Sequence, residues 1–486
     1  MNINRRGFLK NVAGLGAMVA LPSSAILAKV KTTGTGAGLV KGKVQSAGKP
    51  LANVAVSDGY TVVISDKKGS YSMPLHSEAE FVFVSIPAGY NIPNEKGLAR
   101  FYKPLVKQQD NQTADFELQK NTVDDNHHAL IVWADTQMVK DKDAETLITV
   151  SAPDTAAMIK SLGNIPVHGI TVGDLVHDRF DLFDDYARAV EVTGVPFFQA
   201  IGNHDMDYTA RTDDQSESKY KSLFGPAYYS FNRGKVHYVV LDDVFFIGKG
   251  HNYIGYITET QLRWLEQDLS HVPHGSSVIV SLHIPTNTGA AERNGVKKEE
   301  PGSVVSNREH LYKILQPYKV HIMSGHTHWN ENWETDNMME HNHGTVCGAW
   351  WREQNMAADG TPNGYAVYEI KGDEINWFYK STGKSADHQM TLYTPGRSKT
   401  KPQAVIANVW NWDKKWRVEY FEDGISKGTM EQIRCQDPAV VEAYPEHMHV
   451  LSDHFFAFTP SVGAKEVIVK ATDRFGKVYQ EKIKLV

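Results

Sequence analysis

Cysteine is almost missing from this chain. Cys347 and Cys435 are the only two among 486 residues, and they stand in what read as different domains. That excludes a disulfide framework and a thiolate zinc site. Blocks of lysine and arginine are missing too. With 51 basic and 57 acidic residues the formal net charge is −6, which argues against nucleic acid as the main partner. Long apolar runs are missing as well. The longest candidate, Val12 to Leu21, falls well short of the ~20 residues that span a bilayer. No transmembrane segment is expected.

What is present suits a large globular protein. The chain is 41% hydrophobic and 22% charged, ordinary values for a packed fold. Its length calls for roughly two to four domains. The N-terminus carries an address: Asn4-Arg5-Arg6-Gly7-Phe8-Leu9-Lys10 is a twin-arginine pattern, read by a receptor for folded export. A short apolar stretch follows, then small residues at Ser23-Ser24-Ala25, with Ala28 as a second cut site. Residues 1–28 are therefore expected to be a signal peptide, and the protein periplasmic or secreted. No cysteine follows the apolar stretch, so a lipid anchor has no acceptor.

Three further regions separate by pattern. Residues 39–120 alternate short strands with Gly, Asp and Pro turns, which predicts a β-sandwich. Residues 126–385 alternate strands with helical patterns, which predicts a layered α/β fold. Helices are expected over Asp154 to Leu162, Asp181 to Val192, Thr258 to Leu269 and Asn307 to Leu315. Thr258 is placed as N-cap with Gln261 at capping-box distance. Residues 390–486 are strand-like and aromatic, a second expected sandwich. The phrase Gly48-Lys49-Pro50-Leu51-Ala52-Asn53-Val54-Ala55-Val56-Ser57-Asp58-Gly59 resembles the carboxypeptidase regulatory-like domain. That resemblance implies an Ig-like β-sandwich.

The central region holds the most informative pattern. Five apolar runs each end on metal-binding side chains. Ala129 to Trp133 leads to Asp135 and Gln137. Val167 to Val172 leads to Asp174, His177 and Asp178. Pro196 to Ile201 leads to Asn203, His204 and Asp205. Ser277 to Leu282 leads to His283, and Val320 to Met323 to His326 and His328. Such runs read as buried strands, and open α/β sheets build their sites at the carboxyl ends of strands. One crevice could gather all five.

The order Asp-x-Gln, Gly-Asp-x-x-x-Asp, Gly-Asn-His-Asp, a lone His and Gly-His-x-His resembles the calcineurin-like metallophosphoesterase superfamily, across roughly Asn126 to Lys380. The resemblance implies a metallophosphoesterase β-sheet sandwich flanked by helices, here with N- and C-terminal Ig-like β-sandwich domains. It implies two divalent metal ions (Mn, Fe, Zn or Mg), with Asp174 bridging. Asp135, Gln137 and His328 would complete the first metal, and Asn203, His283 and His326 the second. His204 would face the substrate, stabilising the transition state or protonating the leaving oxygen, with Asp205 or Asp178 orienting its ring. The family usually has His where Gln137 stands, although some branches also carry Gln. A harder amide oxygen there tilts the first metal toward Mn²⁺, Fe or Mg²⁺.

Two divalent ions outweigh the charge of Asp135 and Asp174, so the crevice would attract phosphate in an acidic protein. The expected partner is a phosphorylated small molecule, a nucleotide or a lipid head group. Monoester, diester and diphosphate bonds all stay open, and branch resemblance leans Gln137 slightly toward the last two. Trp329 and Trp350-Trp351, the latter ending a strand-like run, could wall the crevice. Arg179 and Arg352 could clamp a second phosphate, or form surface ion pairs. His447, His449 and His454 read as surface-loop residues. The competing function is a cell-surface or glycan-binding protein with a vestigial metal site. A nuclease has suitable chemistry but lacks the basic groove.

Overall fold

Alternate residues of the strand His127–Trp133 point into two different cores. Leu130 and Val132 join one apolar cluster, and Ile131 and Trp133 join another. This is the two-residue period of a strand buried on both faces. In the computed structural model, which describes residues 38–352, 354–446 and 449–485, that strand lies within a seven-stranded sheet. It pairs in parallel with Val167–Val172, which pairs in parallel with Phe197–Ala200. Its other neighbour is antiparallel, the hairpin Gly364–Lys371 and Glu374–Ser381. The signal peptide expected over residues 1–28 lies outside the described residues, and so does His447.

A six-stranded sheet faces the first. Its parallel run is Val236–Val240, Ser277–Ser281, Lys319–Ser324 and Met338–Asn342. The two sheets share a core in which Leu130, Val132, Ile170 and Phe198 meet Phe231, Tyr238, Val278 and Ile322. Helices cover the outer faces. Ala152–Ser161 and Phe183–Thr193 supply Ala152, Phe183, Tyr186 and Val190 to the core outside the first sheet. Glu259–Leu269 and Arg308–Leu315 serve the second sheet through Leu262, Trp264 and Leu311. Thr258 caps the helix Glu259–Leu269, its side chain accepting the Gln261 N–H at 3.4 Å. The fold is therefore mixed α/β, as the alternating pattern predicts.

Both ends of the described chain are β-rich. At the N-terminal end Leu39–Ser46 is central to a five-stranded sheet, beside a four-stranded one. This region docks onto the central α/β layers: Leu98–Ala99 extends the seven-stranded sheet, and Phe101 lies 4.4 Å from Tyr229 between ring centres. At the C-terminal end two four-stranded sheets enclose Val405, Ala407, Val467 and Val469 in a single core. No helix among the described residues is long and apolar enough to cross a membrane.

One expectation fails. The stretch ending at Trp350-Trp351 forms turns rather than a strand. Gly348, Trp350 and Trp351 have φ of 63°, 49° and 55°. An extended strand has no room for such angles, so apolar composition misled the reading there.

Candidate metal centre

The parallel strands end level, and the loops leaving them are sharply bent. Asp135, Gln137, Asp174, Asp178, His326 and His328 all have positive φ, from 35° to 66°. Non-glycine residues seldom adopt such angles, and those that do gather at functional sites. Two motif glycines are required for a different reason. A Cβ on Gly202 would lie 2.1 Å from the Asp174 nitrogen, and one on Gly325 would lie 2.4 Å from Asp135 Oδ2. Only glycine lets these loops approach the carboxylates so closely.

The loops bring together the seven residues named as ligands, in two adjoining groups. In the first, Asp135, Asp174 and His328 each offer a ligand atom, all within 4.8 Å of one another. The Asp135 carboxylate accepts the His326 N–H at 3.0 Å, and His328 Nε2 lies 3.4 Å from Asp135 Oδ1. Gln137 donates from Nε2 to Asp174 Oδ2 at 3.0 Å. Its Oε1 is buried and has no hydrogen-bond partner among the described residues. A buried acceptor without a partner is costly unless a cation or donor meets it.

The second group centres on His283, which is fully buried. Its Nδ1 lies 2.9 Å from the Val172 carbonyl, so that nitrogen carries the proton. Nε2 is then left to face Asn203 Oδ1 at 3.0 Å, Asp174 Oδ1 at 3.3 Å and His326 Nδ1 at 3.2 Å. His326 is arranged in the same way, with Nε2 3.0 Å from the Gly302 carbonyl. Each ring is thus tied by its outer nitrogen to a backbone acceptor, and the two inner nitrogens face each other. Burial works to lower the His283 imidazole, but the Asp174 charge raises it to about 10, so a proton on Nε2, or a metal cation in its place, can sit between them. Fixing a ring's tautomer through its outer nitrogen is the usual preparation of a histidine ligand. With carboxylate and amide oxygens beside them, the donors suit hard or borderline divalent ions, and the residues present fit such a group.

Electrostatics follow from this crowding. Burial works to raise the Asp174 carboxyl, but the charges of His283 and then His204 hold it below the usual carboxylate range. Burial pushes the Asp205 carboxyl up to about 8, and the Asp174 charge adds to that rise.

His204 stands at the edge of the cluster, its N–H donating to Asp174 Oδ1 at 2.8 Å. Its Nδ1 lies 3.0 Å from Asp178 Oδ1. Of the two carboxylates considered for orienting the ring, Asp178 makes the contact. Asp205 does not. It accepts the backbone N–H groups of Leu175, Val176 and Gly202 at 2.9, 3.2 and 2.9 Å, so it pins two ligand loops together.

Two neighbours complete the surroundings. The His177 ring stacks on His204 at 3.8 Å. Asp243 accepts the His283 N–H at 3.0 Å, and burial lifts its carboxyl to about 7. The signal for Asp243 was a sixth apolar strand, Val236–Val240, followed by Leu241-Asp242-Asp243. Other side chains are accounted for structurally. Arg179 is taken up by ion pairs with Asp141 and Asp181. His454 is buried against Asp359 Oδ2 at 3.0 Å, which corrects its surface-loop reading. The surrounding elements fold over it because Asn408 and Asp437 close the same buried network.

Comparison with known proteins agrees with this geometry. A family model described as calcineurin-like phosphoesterase matches residues 125–330. The models for the N terminal and C terminal of calcineurin-like phosphoesterase match residues 38–121 and 340–479. No curated protein matches. Among solved structures, purple acid phosphatase PPD1 from yellow lupin (Lupinus luteus) seeds aligns at 14% identity and a TM-score of 0.38, over 68% of this chain and 67% of that one. PhoD aligns at 10% identity and 0.36, over 93% and 92%. The 5′-nucleotidase of Candida albicans aligns at 12% and 0.32, over 52% and 50%. These likenesses are distant, and the assignment rests on the family models. The chain belongs to the calcineurin-like phosphoesterases, a family of metal-dependent phosphoric ester hydrolases.

Proposed function

We propose that this protein is an exported phosphoesterase that works with two divalent ions held by the loops described above. The observation that carries the reading is the pair of inward nitrogens on His283 and His326, together with the Gln137 oxygen that has no partner among the described residues. When bound, two such ions supply an activated water and neutralise charge on the phosphate oxygens. Asp174 sits in both groups, so its two oxygens can serve both ions. Asp135, Gln137 and His328 would hold one ion, and Asn203, His283 and His326 the other.

The remaining residues position and move protons. Asp178 holds His204 by Nδ1, which leaves Nε2 to hold a proton for the leaving oxygen. His177, stacked on that ring, limits its rotation. Asp205 keeps the Asp174 and Asn203 loops in register through three backbone N–H groups. Asp243 fixes the backbone at His283. The substrate is a phosphorylated small molecule. Export through the twin-arginine route would deliver the folded, metal-loaded protein to the periplasm or beyond.

The test is hydrolysis of a panel of phosphomonoesters, phosphodiesters, nucleoside diphosphates and phospholipid head groups by protein reconstituted with Mn²⁺. The reading expects turnover of at least one class that chelation abolishes and Mn²⁺ restores. Absence of turnover on every class, with or without metal, contradicts it.

A further inference from the structure

A cavity of about 610 Å³ opens directly beside the candidate metal ligands, since His326 and His328 form part of its wall. The rest of the wall includes Trp329, Trp350 and Arg352. A second cavity of about 440 Å³ is lined by Lys140 and Tyr444 and shares Trp350 and Arg352 with the first. Trp350 and Arg352 therefore border both the cavity at the metal centre and its neighbour.

The turn that presents Trp350 is under strain. Trp350 and Trp351 are consecutive bulky residues with φ of 49° and 55°, a conformation that costs of order 1–3 kcal/mol per residue. Two bonds to the metal loop hold it there. Trp351 Nε1 donates to the Thr136 carbonyl at 3.0 Å, and Cys347 Sγ to the Asp135 carbonyl at 3.2 Å. So anchored, the turn turns Trp351 inward and leaves Trp350 39% exposed. The Trp350 ring stands 5.5 Å from the His328 ring. Strain of this kind, spent on exposing an indole beside a metal ligand, makes sense if the indole meets a ligand.

Arg352 is the cationic group beside it. The Arg352 guanidinium lies over the Trp350 ring at 5.9 Å and over the Tyr444 ring at 5.2 Å. The side chain is exposed, and no carboxylate among the described residues pairs with it. Arg179, the other arginine considered for a phosphate clamp, is fully engaged in ion pairs. A guanidinium can only donate, so the group it would meet is an acceptor, and its charge calls for an anion.

We propose that Trp350 and Arg352 form a substrate subsite for the non-leaving arm of a phosphodiester. The arm carries a flat ring, which lies against Trp350, and beyond it a second anion, which Arg352 holds. The assignment rests on the phosphoesterase reading above. It selects among substrate classes, because a simple monoester has no arm to reach this surface.

Three probes share one leaving group, p-nitrophenolate, and differ only in the arm: methyl p-nitrophenyl phosphate, thymidine 5′-(p-nitrophenyl phosphate), and the same thymidine ester with a 3′-phosphate. The Mn²⁺-loaded protein should prefer them in that ascending order of kcat/KM. Trp350→Ala should lower kcat/KM on both thymidine esters about tenfold more than on the methyl ester, in keeping with loss of one stacking contact. Arg352→Gln should remove about tenfold on the 3′-phosphorylated ester alone, the scale of one charge-assisted contact. Trp350→Phe should keep most of the preference. Equal cleavage of all three probes, or variants that slow all three by one factor, overturns the subsite while leaving the phosphoesterase reading intact. If no probe is cleaved, calorimetric titration with thymidine 3′,5′-bisphosphate decides the subsite by itself. Binding that Arg352→Gln weakens about tenfold supports it, and binding that is absent or unaffected overturns it.

Discussion

Asp178 Oδ1 lies 3.0 Å from His204 Nδ1, and this contact fixes which ring nitrogen is left for chemistry. His204→Ala should lower turnover by about 10²–10⁴, the usual range for a general acid or base, while both ions stay bound. Asp178→Asn should cost about 10–100-fold, because the ring keeps its place but loses its charged partner. Rates across a leaving-group series check the role. The His204→Ala loss should shrink as the leaving group improves, and an equal loss throughout would leave charge stabilisation in place of proton delivery.

Asp205 should behave differently from its neighbour. Its carboxylate receives three backbone N–H groups from two ligand loops. Asp205→Ala leaves those buried donors without partners, at about 1–3 kcal/mol each. The expected result is a lower melting temperature and weaker metal retention, with the leaving-group dependence of the residual activity unchanged. A wild-type melting temperature together with a changed leaving-group slope would return Asp205 to the proton-transfer step.

Gln137 tests the first ion. Its oxygen has no partner among the described residues, and its nitrogen is already engaged by Asp174. Gln137→His should retain two ions and move preference from Mn²⁺ toward Zn²⁺, following nitrogen's affinity for borderline metals. Gln137→Ala should weaken one ion only. Metal titration of the two variants separates these outcomes, and full occupancy with unaltered preference in the Ala variant would show that Gln137 is not a ligand.

Export is tested on the leader. Arg5-Arg6→Lys-Lys should leave the protein in the cytoplasm with its signal uncleaved, since lysine does not reproduce the guanidinium fork. Fractionation with an antibody to the protein shows this directly. Normal export from cells lacking the twin-arginine translocase would contradict the assignment.

The core of the site was legible because each parallel strand is an apolar run that stops abruptly at a chemically distinctive residue. Periodicity located the strands leading to Asp135, Asp174, Asn203, His283 and His326, and strand-end chemistry ties such residues to one crevice. Asp243 was missed because its strand ends in a common acid without a flanking Gly or His. The role of Asp205 was missed because its bonds go to backbone groups of Leu175 and Val176, about thirty residues away, and backbone donors leave no mark in sequence. The hairpin Gly364–Ser381 could not be placed beside His127–Trp133, since pairing over such a separation follows from tertiary packing. Trp350-Trp351 misled for a related reason: strand-like composition was overruled by the bonds that tie the turn to Thr136 and Asp135.

Asp174 is proposed to join two groups of ligands around two ions. The most direct test counts divalent ions per chain in Mn²⁺-loaded wild type and in Asp174→Asn, with hydrolysis measured on the same samples. The account predicts two ions in the wild type, depleted metal in the variant, and a fall in turnover of several orders of magnitude. Two ions still bound to Asp174→Asn with near-normal turnover would contradict it.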